Sequence, residues 1–242
     1  MARIGREFQE ETKYDRKSMK PHSPDFANKP PVFNQFTDVE SFKLPEPKKR
    51  AGPSLWTAIG TRRSRRNYAP QPMKSEELSQ IMWAGSGITD EVQGLYLRTA
   101  PSAGGLYPIE TYVVVNRVHG LAPGVYHYFP PNHTLELLRA GDYSRAAAHA
   151  ALDQKMAINA SIVLIWTAVV ERARWKYRQR AYRYIYLDAG HIGQNVALAA
   201  EGLGLGCCAI GALYDDEVND LVAADGVEET AVYMACVGHY RR

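Results

Sequence analysis

The chain has 242 residues, 45% of them hydrophobic, and a formal charge of +3 from 29 basic and 26 acidic side chains. Such a length and apolar share fill one large globular domain, and a charge so near balance argues against a nucleic-acid binder, whose basic surface covers a whole face. No uncharged apolar run reaches membrane-spanning length, and the first residues, Met1 to Arg6, lack the apolar segment of a signal peptide, so the expectation is a cytoplasmic protein with no membrane partner.

Residues 1–50 are polar and dotted with proline (Pro21, Pro24, Pro30, Pro31, Pro45, Pro47), with little helical or alternating period. They read as an extended arm rather than a packed unit. Phe8, Phe26, Phe33, Phe36 and Phe42 suggest that the arm lies along a surface, and residues 51–242 form the folded domain. Ser54 opens a short helix with Leu55 and Ile59 on one face. Directly after it comes Arg62-Arg63-Ser64-Arg65-Arg66, four guanidiniums and a hydroxyl that suit an anion, because arginine presents a planar fork of donors and never loses its charge. A solvated charge run or a nucleic-acid patch are the alternatives. Tyr68-Ala69-Pro70-Gln71-Pro72 then forces the chain out of helix.

Ser75 caps a helix with Glu76 and Glu77 in its first turn and Leu78, Ile81 and Met82 on its apolar face, stopped by Gly85-Ser86-Gly87. The stretch Pro101-Ser102-Ala103-Gly104-Gly105 is small in side chain, which lets a ligand approach free backbone amides; an ordinary turn is the other reading. A strand over 111–115 follows, then a hairpin of 124–129 and 134–138 around Pro130-Pro131-Asn132-His133, an alanine-rich helix over 143–152 and an apolar central strand over 161–167. Residues 171–178 connect that strand to a long helix over 181–201, which has Ile185, Ile192, Val196 and Ala199 near one face. Gly202-Leu203-Gly204-Leu205-Gly206 ends it, 207–210 is a buried strand broken by Gly211-Ala212, Asp215 caps a helix through Val222, and 231–237 is the last strand. Cys207, Cys208 and Cys236 give neither a disulfide framework nor metal-ligand spacing, so they read as small buried residues and no metal is expected. The irregular alternation of helices and strands makes the fold α+β.

Three stretches resemble a known family in their order: Arg-Arg-Ser-x-Arg-x-Tyr from Arg62, Pro-Ser-Ala-Gly-Gly-Leu-Tyr-Pro from Pro101, and Gly-Leu-Gly-Leu-Gly-Cys-Cys-Ala-Ile-Gly-Ala from Gly202. Together with Tyr182-Arg183-Tyr184, Leu187-Asp188-Ala189-Gly190-His191, Gln194-Asn195 and the closing Val237-Gly238, they are similar to the FMN-dependent nitroreductase family and above all to its SagB-type dehydrogenase branch. The resemblance implies a nitroreductase-like fold, a central and mostly antiparallel sheet flanked by helices in an intertwined homodimer. It implies FMN, with NAD(P)H as an electron donor and a small-molecule or peptide substrate. Carried over residue by residue, Arg62, Arg63, Ser64 and Arg66 hold the phosphate and ribityl chain, Pro101, Ser102, Ala103, Gly104 and Gly105 lie against the flavin of the partner subunit, and Ile210, Gly211 and Ala212 bring a backbone amide near its N5. Many relatives carry a further basic phosphate clamp past the last strand; here Arg241 and Arg242 stand in that place.

The same resemblance points to Lys176 and Tyr177 as catalytic residues of an azoline oxidation, the lysine as base and the tyrosine hydroxyl as relay or orienting donor. A lysine among arginines and partly removed from water is biased toward the neutral form that takes a proton; a solvated charge cluster is the bland alternative. The branch implies oxidation of thiazolines or oxazolines in a peptide precursor, and without a fused peptide-processing domain the chain is expected to work with separate partners. An NAD(P)H-dependent nitro or quinone reductase is the alternative within the family. A non-catalytic flavin-binding protein and an arginine-rich RNA binder are the alternatives outside it.

Overall fold

A computed structural model describes residues 3–17, 22–50 and 52–241. The helices and strands run α1 (Arg3–Thr12), β1 (Ser41–Lys43), α2 (Leu55–Thr61), α3 (Ser75–Ser86), β2 (Ile88–Val92), β3 (Leu95–Arg98), β4 (Ile109–Val115), β5 (Gly124–Phe129), β6 (Thr134–Ala140), α4 (Ser144–Ala150), α5 (Met156–Asn159), β7 (Ile162–Val169), α6 (Val170–Tyr177), α7 (Ala181–Gly202), β8 (Gly206–Ile210), α8 (Asp215–Val222) and β9 (Glu229–Gly238). Seven strands form one sheet in the order β1-β6-β5-β4-β7-β9-β8, and every neighbouring pair is antiparallel. β2 and β3 make a separate hairpin.

Alternation along the inner strands divides the core in two. Val113, Val115, Leu164 and Trp166 face one side, where they pack with Leu78 and Ile81 of α3 and Ile185, Ile192 and Val196 of α7. Tyr112, Val114, Val163 and Ile165 face the other, against Ala147 of α4, Ala157 of α5 and Val218 and Leu221 of α8. Because both faces are covered, β4 is buried at every residue, and a strand of that kind reads as a continuous apolar run. The fold is α+β with an antiparallel sheet flanked by helices, as the sequence implies. No helix among the described residues is long and apolar enough to cross a membrane.

Several local expectations differ from what the chain does. Ser75 is the first helical residue of α3, not its cap; the amide of Lys74 is satisfied instead by Glu77 Oε2 at 2.8 Å, a side chain reaching back over the first turn. Likewise Asp215 lies inside α8, whose cap is Tyr214. Residues 170–177 are a helix, with Val170, Ala173 and Tyr177 packed inward at the i, i+3, i+7 spacing of a helical face. The β2–β3 hairpin was not expected either.

The first 50 residues hold more structure than a bare arm. In α1, Arg3 pairs with Glu7 at 2.5 Å, and the helix docks on α7: the Arg183 guanidinium lies 5.6 Å from the Phe8 ring centre, donating to Gln9 O and Thr12 Oγ1. β1 adds an edge strand to β6. Between them the chain is tied down by a buried polar network. Asn34 donates its amide to Glu110 Oε1 at 2.7 Å, Arg172 donates to that same oxygen at 2.7 Å and to Asn34 Oδ1 at 2.8 Å, and His127 bridges Glu110 and Glu136. Buried charges are tolerated only when paired and hydrogen-bonded in this way.

Candidate active site

The site residues named above gather in two groups. The first is built on the free edge of the sheet. The Arg62 amide closes α2 on the Ala58 carbonyl, after which the chain runs extended: Ser64 bridges to Cys207 and the Arg65 amide donates to Cys207 O at 3.0 Å. An extended run throws alternate side chains to opposite sides. Ser64 and Arg66 accordingly lie on the side of Cys208 and Arg62 near Cys207, whereas Arg65 turns away and stacks on Tyr240. Arg63 is exposed and donates to the Gly60 and Arg62 carbonyls.

Among the described residues no carboxylate pairs with Arg62, Arg63, Arg65 or Arg66. Guanidinium forks with no counter-charge fit a phosphate group. The chain past β9 runs beside them, with the Arg241 amide on Asn67 O at 2.9 Å; Arg242 lies outside the described residues. Next along the edge, Ile210 turns its side chain into the core at 2% exposure, while Ala209, Gly211 and Ala212 are exposed. That stretch therefore offers a ligand backbone and little side chain.

The second group centres on the glycine loop. Gly104 has φ +65°, and a Cβ built on it would lie 2.5 Å from Tyr177 Oη and 3.0 Å from Lys176 Nζ. Only glycine meets both demands, the left-handed backbone and the close approach. Lys176 and Tyr177 thus stand against the loop at the end of α6, both half-buried. The Tyr177 ring sits edge-on to Tyr184 at 4.7 Å; burial above all, then the Tyr184 and Asp188 charges, raises its hydroxyl pKa, so it remains a proton donor. A cleft runs past the pair, walled on the far side by Thr12, Tyr14, His22 and Pro24 of the N-terminal segment.

Two side chains were given no role by sequence reasoning, although Asp188 stands in one of the stretches that carry the resemblance. Asp188 accepts from Ser102 Oγ at 2.5 Å and from the Ala103 amide at 3.3 Å. Its signal was present, since Ile185, Asp188, Ala189 and Ile192 share the buried face of α7 and a carboxylate there needs partners. The other is Cys208, whose place under Arg66 and Ser64 only the sheet register fixes.

α7 links the two groups. Asp188 serves the glycine loop, while Leu198, Ala199 and Gly202 line a groove with Leu55 and Ala58 of α2; Asp188 and Ala199 are about 16 Å apart at 1.5 Å rise per residue.

Comparison with known proteins reaches across both groups. The nitroreductase family matches residues 59–239. The chain is 39% identical over 188 residues to "Putative nitroreductase MJ1384" of Methanocaldococcus jannaschii, covering 78% of this chain and 88% of that protein. It is 31% identical over 173 residues to the trifolitoxin-processing protein TfxB of Rhizobium leguminosarum bv. trifolii, covering 67% of this chain and 46% of TfxB, and 31% identical over 117 residues to the microcin B17-processing protein McbC of Escherichia coli, covering 46% and 43%. The chain thus spans a little under half the length of these two processing proteins. Among solved structures, a "putative nitroreductase" from Anabaena variabilis superposes with a TM-score of 0.79 at 29% identity, over 97% of this chain and 46% of that one. The E. coli microcin synthetase McbBCD complex shares the fold at a TM-score of 0.65 and 19% identity, over 99% of this chain and 92% of that one. Since the matched region takes in the arginine run, the glycine loop, the Lys176–Tyr177 pair and six of the seven sheet strands, the chain belongs to the nitroreductase family.

Proposed function

We propose that the chain is an FMN-dependent oxidoreductase of the SagB type that oxidises an azoline ring in a peptide precursor, working as a homodimer with separate partner proteins. The observation that carries this reading is the close approach of Lys176 and Tyr177 to Gly104, where a Cβ would come 3.0 Å from Nζ and 2.5 Å from Oη, which brings two groups able to handle a proton against a loop of exposed backbone. The two processing relatives, TfxB and McbC, support the branch.

Arg62, Arg63, Ser64 and Arg66 would hold the FMN phosphate and ribityl chain, with Arg241 beside them; the backbone of residues 101–105 and 210–212 would face the ring. FMN bound there supplies the acceptor for a hydride. Oxidising an azoline also removes a carbon-bound proton, and Lys176 takes it. The Tyr177 hydroxyl, kept protonated, orients the ring by donating a hydrogen bond. Leu55, Trp56 and Ile59 on α2 and Tyr186 and Leu187 on α7 are exposed apolar side chains of the kind a second subunit covers. With the arginine run on the sheet edge beside β8 and the glycine loop tied to α7, a partner chain completes each site.

Similarity to MJ1384, a protein described as a nitroreductase, favours a second reading, reduction of nitro compounds or quinones with NAD(P)H. Anaerobic titration separates the two. The purified protein is expected to be yellow with FMN, to bleach with an azoline peptide and to recover colour with a quinone; bleaching by NADH or NADPH alone favours the reductase. A colourless protein that takes up no FMN overturns both.

A further inference from the structure

The glycine loop has little of its own to hold it in place. Gly104 and Gly105 both sit at φ +65°, and nothing lies within 4 Å of a Cβ built on Gly105. Backbone of that kind has many states to lose on ordering. Beneath the loop, packing is also incomplete: a small cavity opens between Pro101, Ser102, Tyr107 and Asp188 and the floor formed by Ser86 and Ile109. Hydrogen bonds must therefore do the fixing, and they converge on one side chain. Asp188, 4% exposed, accepts from Ser102 Oγ at 2.5 Å and from the Ala103 amide at 3.3 Å. Ser102 passes the restraint on, because its Oγ accepts from the Tyr107 amide at 2.9 Å and its carbonyl from the Gly105 amide at 3.0 Å. Both ends of the glycine turn are thereby tied to α7.

We infer that Asp188 is a positioning residue: acting through Ser102 and Ala103, it sets Gly104 at its close approach to Lys176 and Tyr177. The kinetic consequence rests on the redox reading above, whereas the structural one does not. Both carboxylate oxygens are in use, one on a hydroxyl and one on an amide, so an asparagine, which accepts through a single oxygen, restores only part of the restraint. Removing the carboxylate leaves Ser102 without its acceptor and lets the turn move relative to α6. A displacement of about 1 Å in a catalytic group can cost on the order of a hundredfold in rate.

The test uses the full-length chain as wild type, Asp188→Ala, Asp188→Asn, Ser102→Ala and the double variant Asp188→Ala with Ser102→Ala. Amide hydrogen–deuterium exchange is followed with and without FMN, and kcat and KM are measured with an azoline peptide. Asp188→Ala should speed exchange at residues 103–107 by tenfold or more while β4 and the second half of α7 stay protected, and should lower kcat about tenfold with little change in KM. Asp188→Asn should fall between the two, and the double variant should be no worse than Asp188→Ala alone, because the residues act as one unit. Wild-type exchange in the loop of Asp188→Ala overturns the inference, and so do effects of the two substitutions that multiply. Should Asp188→Ala fail to fold, Asp188→Asn decides by the same exchange reading. Faster loop exchange in a protein that never oxidises azolines leaves the clamp standing and sinks only the assigned reaction.

Discussion

The Arg65 guanidinium lies 4.3 Å from the centre of the Tyr240 ring, on the opposite side of the chain from its neighbours Ser64 and Arg66. One arginine of the run thus serves the fold, fastening the segment to the chain just past β9, while Arg62 and Arg66 lie on the side of Cys207 and Cys208 and Arg63 is exposed. The two kinds of arginine should separate on substitution. Arg66→Ala is expected to weaken FMN binding by tenfold or more, since charge-assisted forks are roughly twice as strong as neutral hydrogen bonds. Arg65→Ala should change that affinity less and lower the melting temperature instead. Fluorescence quenching titrations beside thermal melts check this; equal affinities in the two variants contradict it.

Gly104→Ala places a side chain where φ is +65° and a Cβ would come 2.5 Å from Tyr177 Oη. The left-handed backbone alone costs an ordinary residue about 1–2 kcal/mol, and Tyr177 must move besides. Urea unfolding should show at least that loss of stability. Gly105→Ala, with the same φ but open space around it, should show the backbone cost only.

Stability should depend on pH through His127. Burial lowers the pKa of this imidazole, but hydrogen bonds to Glu110 and Glu136 outweigh it and push the value up to about 9. A raised folded-state pKa means that the contribution is fully present below the ordinary value near 6.5 and is lost as pH rises through 9. The unfolding free energy should accordingly fall by up to about 3 kcal/mol between pH 6.5 and 9.5, and His127→Gln should flatten that slope. Arg172→Met, which strips Glu110 of a buried partner at 2.7 Å, should cost roughly 3–5 kcal/mol near neutral pH.

Lys176→Ala and Tyr177→Phe should both retain FMN yet lose azoline oxidation. Quinone reduction should survive, because it removes no carbon-bound proton from the substrate. Undiminished azoline turnover in both variants excludes the assigned roles.

Analytical ultracentrifugation should show a dimer at micromolar concentration. Trp56, 79% exposed on α2, and Leu187, 59% exposed on α7, are the side chains to change first: Trp56→Glu and Leu187→Glu should yield monomers with weakened FMN binding. A flavin-loaded monomer of the unaltered chain rules the homodimer out.

Much of the fold was legible in short stretches of sequence. The continuous apolar run at β7, the long helix α7, the hairpin of β5 and β6 and the glycine stop before β8 are local patterns, each fixed by side-chain period or by a residue with a special backbone. The arginine run and the small-residue loop were legible for the same reason, whereas the segment that bears Lys176 and Tyr177 reads only as a connection, because four charged residues in eight hide the inward face of α6.

What the tertiary structure decided is who meets whom. α1 forms where Arg183 of α7 receives it, and a helix of 10 residues is marginal without such docking. Arg172 meets Asn34 across 138 positions, and Ser102 meets Asp188 across 86. Nothing in local period announces these pairs, because a polar side chain seeks a particular partner only once folding has taken it out of water, and which groups are buried together is settled by the packing of the whole sheet against its helices.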